Sequence, residues 1–161
     1  MHAVVIYDSQ FGNTEQVAKA IARGLASHGT VVIQGVTEAP APDPASIDLL
    51  IVGGPTQRHG ASPALAAWLD ALGRRTLNNV RAAAFDTRYR MSALLSGSAA
   101  GKAAGRLRRA GCRLVAAPES FFVERDRPPE GEKRRHGVER LEAGEIERAE
   151  AWAIGLVASL R

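Results

Sequence analysis

One stretch of the chain concentrates groups that can hold a small anion: Ser9-Gln10-Phe11-Gly12-Asn13-Thr14. It offers hydroxyls at Ser9 and Thr14 and an amide at Asn13. Gly12 gives the backbone access to conformations closed to other residues. The run follows an apolar stretch of strand character and leads straight into helical periodicity. The first N–H groups of a helix have no acceptor within it, and the helix dipole adds positive potential at the same end. Together these features make an oxyanion site that needs no lysine. Helix capping by Asn13 or Thr14 is the simpler use of one such residue, but capping does not call for the whole run.

Other combinations fail on spacing. Gly97-Ser98-Ala99-Ala100-Gly101-Lys102 is one residue short of a P-loop, and Ala103 stands where a hydroxyl would have to reach magnesium. No Gly-x-Ser-x-Gly nucleophile elbow is present. His2, His28, His59 and His136 are scattered without metal-ligand spacing, and only His59 falls in a predicted site loop. The single Cys112 excludes an intrachain disulfide and reads as a small apolar residue. Trp68 and Trp152 fall on predicted helices and read as packing residues.

The elements that must position the anion loop alternate in type. Strands are predicted at residues 3–7, 31–33, 49–52, 80–85 and 113–123, the last interrupted at Pro118, which has no N–H for a ladder. Helices are predicted from Thr14 to a stop at Gly29, from Ser62-Pro63 to Gly73, from Ser98 to Ala110 with Gly111 closing it, and from about Gly144 to Leu160. The strand cores are continuous apolar runs, as in strands covered on both faces. That argues for an α/β protein with a parallel sheet and helices on both sides, in one domain spanning 1–161. Residues 125–140 are charged and poor in apolar side chains, and they read as a mobile surface loop before the last helix.

In such a sheet, ligands bind outside the carboxyl ends of the strands. Three loops meet that description: Ser9 to Thr14; Gly54-Pro55-Thr56-Gln57-Arg58-His59-Gly60 after the third strand; and Asp86-Thr87-Arg88-Tyr89-Arg90, running on to Gly97, after the fourth.

Charge is uneven. Lys plus Arg number 21 against 17 Asp plus Glu, and eight of the basic residues lie between 81 and 115 with Asp86 as the only acid. A basic stretch of this kind attracts anionic partners. It lacks the interleaved aromatics that stack bases, which argues against nucleic acid. No apolar run reaches the ~20 residues of a membrane span, and no leader-like segment precedes the first strand. The expectation is a cytoplasmic protein.

The stretch Val4-Val5-Ile6-Tyr7-Asp8-Ser9-Gln10-Phe11-Gly12-Asn13-Thr14-Glu15 resembles the flavodoxin signature, a strand followed by a Ser/Thr-rich loop ending in Gly-Asn-Thr. Gly53-Gly54-Pro55-Thr56 resembles the start of the family's second flavin loop, and the order of elements matches over nearly the whole chain. The resemblance implies a flavodoxin-like three-layer sandwich with a five-stranded parallel sheet in the order 2-1-3-4-5. It implies FMN as cofactor, with its phosphate on Ser9, Gln10, Phe11, Gly12, Asn13 and Thr14. The ring would lie between Pro55, Thr56, Gln57, Arg58, His59 and Gly60 on one side and Asp86, Thr87, Arg88 and Tyr89 on the other. Arg58, Arg88 or Arg90 would favour negative charge on the reduced ring.

Two departures stand out. Gln57-Arg58-His59 occupy the place of the family's second-loop aromatic, and the third-loop tyrosine position falls nearer Ser92 than Tyr89. The implied function is an FMN-binding electron carrier serving a redox partner protein, acidic to match the basic chain. Two alternatives share the fold. One is a flavin-free module that docks an acidic partner through the helix around Arg106–Arg109. The other is an FMN oxidoreductase with a substrate of its own, of quinone or protoporphyrinogen type.

Overall fold

A computed structural model describes residues 1–57, 60–90, 97–125 and 139–160. Among these residues seven strands form one sheet: β1 (His2–Tyr7), β2 (Thr30–Gly35), β3 (Leu49–Pro55), β4 (Arg81–Tyr89), β5 (Arg113–Leu114), β6 (Glu119–Arg125) and β7 (Glu139–Leu141). The described residues include four α-helices: α1 (Asn13–Leu25), α2 (Pro63–Ala71), α3 (Ala99–Ala110) and α4 (Glu145–Ala158). The sheet runs β2-β1-β3-β4-β6-β7, with β5 also paired to β4. All pairings are parallel except β6 with β7.

The fold class is the expected one, and the strand count is corrected. The predicted fifth strand is two pieces on the same side of β4, separated by Val115-Ala116-Ala117-Pro118, where proline cannot donate to the ladder. The short antiparallel β7 was not anticipated. It comes from the segment read as a mobile loop. Arg125, Glu139 and Arg140 at its ends belong to strands, and 126–138 lie outside the described residues.

Two apolar layers hold the sheet. On one face α2 and α3 bury Leu65, Leu69 and Leu107 against Ile6, Leu50, Val52 and Ala84. On the other, α1 and α4 bury Val17, Ile21, Leu25 and Leu156 against Val5, Ile51, Phe85 and Phe121. Phe85, Phe121 and Trp152 meet edge to face with centroids 5.9–6.4 Å apart, an arrangement aromatic quadrupoles favour. Gly53 is dictated by this layer, since a Cβ there would lie 2.2 Å from the Phe85 ring. Trp68 packs against the opposite core and donates its indole N–H to the Ala39 carbonyl at 3.0 Å. Both tryptophans are packing residues, as their helical positions suggested.

The helix ends follow local chemistry. Ser62 caps α2 by accepting the Leu65 N–H at 3.2 Å, with Pro63 in the first turn. Ser98 caps α3 through the Gly101 N–H at 3.0 Å, and Gly111 closes it in a left-handed conformation. No helix among the described residues is long and apolar enough to cross a membrane.

Candidate functional site

From β1 the chain turns to α1 on one face, and from β3 it turns to α2 on the other. The strands' carboxyl ends therefore open a cleft where the strand order reverses. The cleft measures about 160 Å³ and is bordered by the loop after β1, by Pro55-Thr56-Gln57, and by the end of β4. That is below the roughly 300–1,000 Å³ of pockets that enclose a whole ligand. The shape suits a molecule anchored at one end and partly open to solvent.

In the first loop, Gly12 takes the left-handed φ of +83° that starts α1, and its carbonyl accepts the Gln16 N–H at 3.0 Å. The capping role considered for Asn13 or Thr14 is not what the structure shows. Their side chains reach other elements. The Thr14 and Thr87 hydroxyls lie 2.7 Å apart, and Asn13 Nδ2 donates to the Glu139 carbonyl at 3.1 Å. Gln57 Nε2 donates to Gln10 Oε1 at 2.7 Å, bridging the first and second loops. Ser9 Oγ accepts the Glu15 N–H at 3.3 Å.

The loop's side chains thus fix its shape. The N–H groups of Gly12, Asn13 and Thr14 have no acceptor among the described residues. Ser9 keeps its hydroxyl proton, and the Thr14–Thr87 pair keeps one of its two protons. These donors gather at a helix N-terminus, where the dipole favours negative charge. Phe11 stands at the cleft rim, 71% exposed.

The second loop contributes Pro55, Thr56 and Gln57 to the cleft. Gln57 and Gly60 exchange two backbone hydrogen bonds at 2.8 Å. Arg58 and His59 lie outside the described residues, so their expected ring contacts have no structural account.

The third group is corrected in two ways. Asp86 to Tyr89 are strand residues, because β4 runs four residues past Phe85, paired with β3 as far as Thr87 and with β6 as far as Tyr89. Asp86 also faces away from the cleft. It is fully buried, and its Oδ2 takes the Thr56 and Ser98 hydroxyls at 2.9 Å and the Ala100 N–H at 3.0 Å. Its carboxylate sits on the N-terminus of α3, a favourable place for a buried negative charge.

Thr87, Arg88 and Tyr89 do line the cleft. Arg88 is only 7% exposed, with Nη1 donating to the Gly97 carbonyl at 3.1 Å. Arg90 is engaged elsewhere. It pairs with Glu142 at 2.8 Å and lies over the Phe122 ring at 4.2 Å.

Val123 and Glu139 border the cleft and were not foreseen. Glu139 accepts the Tyr89 hydroxyl proton through its carboxylate. It lies on a three-residue strand with no apolar alternation, so no local signal marks it. The described residues hold no group of three or more potential metal ligands.

The model of the flavodoxin family matches residues 5–152. This chain belongs to the flavodoxin family. A short-chain flavodoxin associated with a non-canonical PDU bacterial microcompartment superposes with a TM-score of 0.77 at 18% identity, covering 100% of this chain and 99% of that one. Oxidised flavodoxin 1 from Bacillus cereus gives 0.76 at 20% identity, with 98% of each chain covered. The flavodiiron core from Synechocystis gives 0.71 at 18% identity over 99% of this chain, which spans 36% of that larger one. At these identities the likeness shows the shared fold. A comparison with curated protein sequences finds no match. In this flavodoxin the family loop between β1 and α1 keeps its Gly-Asn-Thr core, with Phe11 before it.

Proposed function

We propose that this flavodoxin binds FMN in the cleft and carries electrons between partner proteins. The observation that carries the reading is the loop of residues 9–14. Three backbone N–H groups without acceptors meet a helix N-terminus and a serine hydroxyl at one edge of the cleft. That donor set fits a phosphate monoester. Glu139, the one carboxylate among the described cleft-lining residues, is occupied by the Tyr89 hydroxyl.

Bound FMN supplies the one- and two-electron chemistry that no side chain here offers. The chain's own residues do the positioning. The N–H groups of residues 12–14 and the Ser9 hydroxyl hold the phosphate. The Gln10–Gln57 bridge joins the two loops beside it. Tyr89 offers an aromatic surface in the cleft, and Arg88 supplies a buried positive charge. Phe11, exposed at the rim, offers an apolar contact for a redox partner.

Absorbance of the purified protein, before and after adding FMN, tests the reading. The expected result is a flavin spectrum on isolation or after reconstitution. A colourless protein that leaves added FMN free would overturn it.

A further inference from the structure

The opposite end of the sheet carries a surface that the cleft does not use. Strands β4 and β5 begin at Arg81 and Arg113, which are register partners in adjacent parallel strands. The connection before β4 holds Arg74 and Arg75, and α3 ends with Arg108 and Arg109. That connection is stitched to the end of α3. The Arg75 N–H donates to the Arg109 carbonyl at 3.1 Å, Leu77 to Ala110 at 2.8 Å, and Asn79 to Gly111 at 3.1 Å. All six arginines are exposed, and none has an ion pair among the described residues. The acids nearby are committed. Asp70 is bound by Arg106 at 2.7 Å, and that hydrogen bond holds its carboxyl below the usual range. Asp48, beside the start of β3, accepts the His2 N–H at 2.7 Å.

Three features set this surface apart from an ordinary solvated one. Like charges on neighbouring strand positions repel, yet Arg81 and Arg113 are neighbours. Arg75 adopts a left-handed φ of +57°, where glycine or asparagine is the cheaper residue. The last carbonyls of α3 already receive backbone donors, so the helix end does not require Arg108 and Arg109.

We propose that this arginine pole is a docking surface for an acidic protein segment, separate from the cleft. Guanidinium forks take carboxylates in bidentate pairs. The six arginines sit on a connection, two strand starts and a helix end. That is not the continuous helix face or ribbon that a nucleic-acid groove admits, and no aromatic residue stands among them to stack on bases. The six residue steps of β4 from Arg81 to the cleft-lining Thr87 separate the pole from the cleft by about 20 Å, at roughly 3.3 Å per residue. A partner bound at the pole leaves the cleft open, so the protein can be tethered while the cleft remains accessible. This inference does not depend on FMN.

The test is fluorescence anisotropy with a fluorescein-labelled poly-glutamate peptide and, in parallel, a labelled mixed-sequence DNA duplex of matched charge. The proteins are the wild type, Arg81→Gln/Arg113→Gln, Arg75→Gln/Arg109→Gln and a control, Lys19→Gln/Arg23→Gln, which removes the same charge from α1. Arg81→Gln/Arg113→Gln relieves repulsion between register partners and the other pole variant changes only exposed side chains, so folding is expected to survive in both, and a thermal melt checks it. The expected result is salt-sensitive peptide binding that weakens about tenfold in each pole variant and less than twofold in the control. Absent peptide binding, equal loss in pole and control variants, or tighter binding of the duplex than of the peptide would each overturn the proposal.

Discussion

The hydroxyls of Thr14 and Thr87 meet at 2.7 Å, joining the first turn of α1 to β4 beside the cleft. Both residues are buried, at 2% and 4% exposure. Changing one of them to valine leaves the other hydroxyl buried without its partner, which costs about 1–3 kcal/mol. Changing both gives two apolar groups of similar shape. Thr14→Val and Thr87→Val should therefore each lower the urea midpoint, while the double variant loses less than the sum, with a coupling on the order of 1 kcal/mol. Additive losses would mean that the pair is not a structural unit.

Arg88 is the cleft-lining arginine among the described residues, and it is nearly buried. Reduction of a bound flavin adds negative charge, which a nearby guanidinium stabilises more strongly in a poorly hydrated site than in water. Arg88→Gln should lower the two-electron potential of the bound flavin by about 30 mV or more, equivalent to about 1.4 kcal/mol. Arg90→Gln should leave it nearly unchanged, because Arg90 is spent on Glu142 and Phe122. Potentiometry on both variants checks this. An equal effect of the two substitutions would remove Arg88 from its assigned role.

Cys112 is buried at the end of α3, and burial pushes its thiol up to about 11. The folded state holds this proton more tightly than the unfolded chain, whose thiol ionises near 9. The group's contribution is therefore complete below about pH 9 and is lost as pH rises toward 11. At about 1.36 kcal/mol per unit, the loss is on the order of 2–3 kcal/mol. Urea unfolding between pH 8 and 11 should show this decline in the wild type, with a shallower one in Cys112→Ala. Identical slopes would contradict the assignment.

Much of this architecture was legible residue by residue. Ser62-Pro63, Ser98 and Gly111 marked helix ends because capping is local chemistry, and each acts as expected. Pro118 marked the break in the last parallel strand for the same reason. The end of β4 was not legible. Thr87-Arg88-Tyr89 look like a loop in sequence, and only pairing makes them strand, of Thr87 with β3 and of all three with β6.

The same limit explains the misread side chains at the site. Nothing local tells that Asp86 faces the start of α3 while Thr87 faces α1, since a strand's alternating faces depend on where its pairing begins. The Asn13 and Thr14 side chains looked like caps because capping is the local option. Their actual partners, Glu139 and Thr87, lie 126 and 73 residues away. The loop could be proposed as an anion site because glycine, hydroxyls and the predicted helix start are contiguous in the sequence.

The central claim is that the loop of residues 9–14 holds the phosphate of FMN. The most direct measurement is flavin fluorescence quenching with FMN and with riboflavin, which shares the ring and lacks the phosphate. Hydrogen bonds to a charged group are worth about 1.5–3 kcal/mol each, so two of them give roughly a hundredfold preference or more. The account predicts that FMN binds at least a hundredfold more tightly than riboflavin, and that Ser9→Ala narrows the gap by weakening FMN alone. Equal affinities for the two flavins, or a gap that Ser9→Ala leaves untouched while the fold is intact, would contradict it.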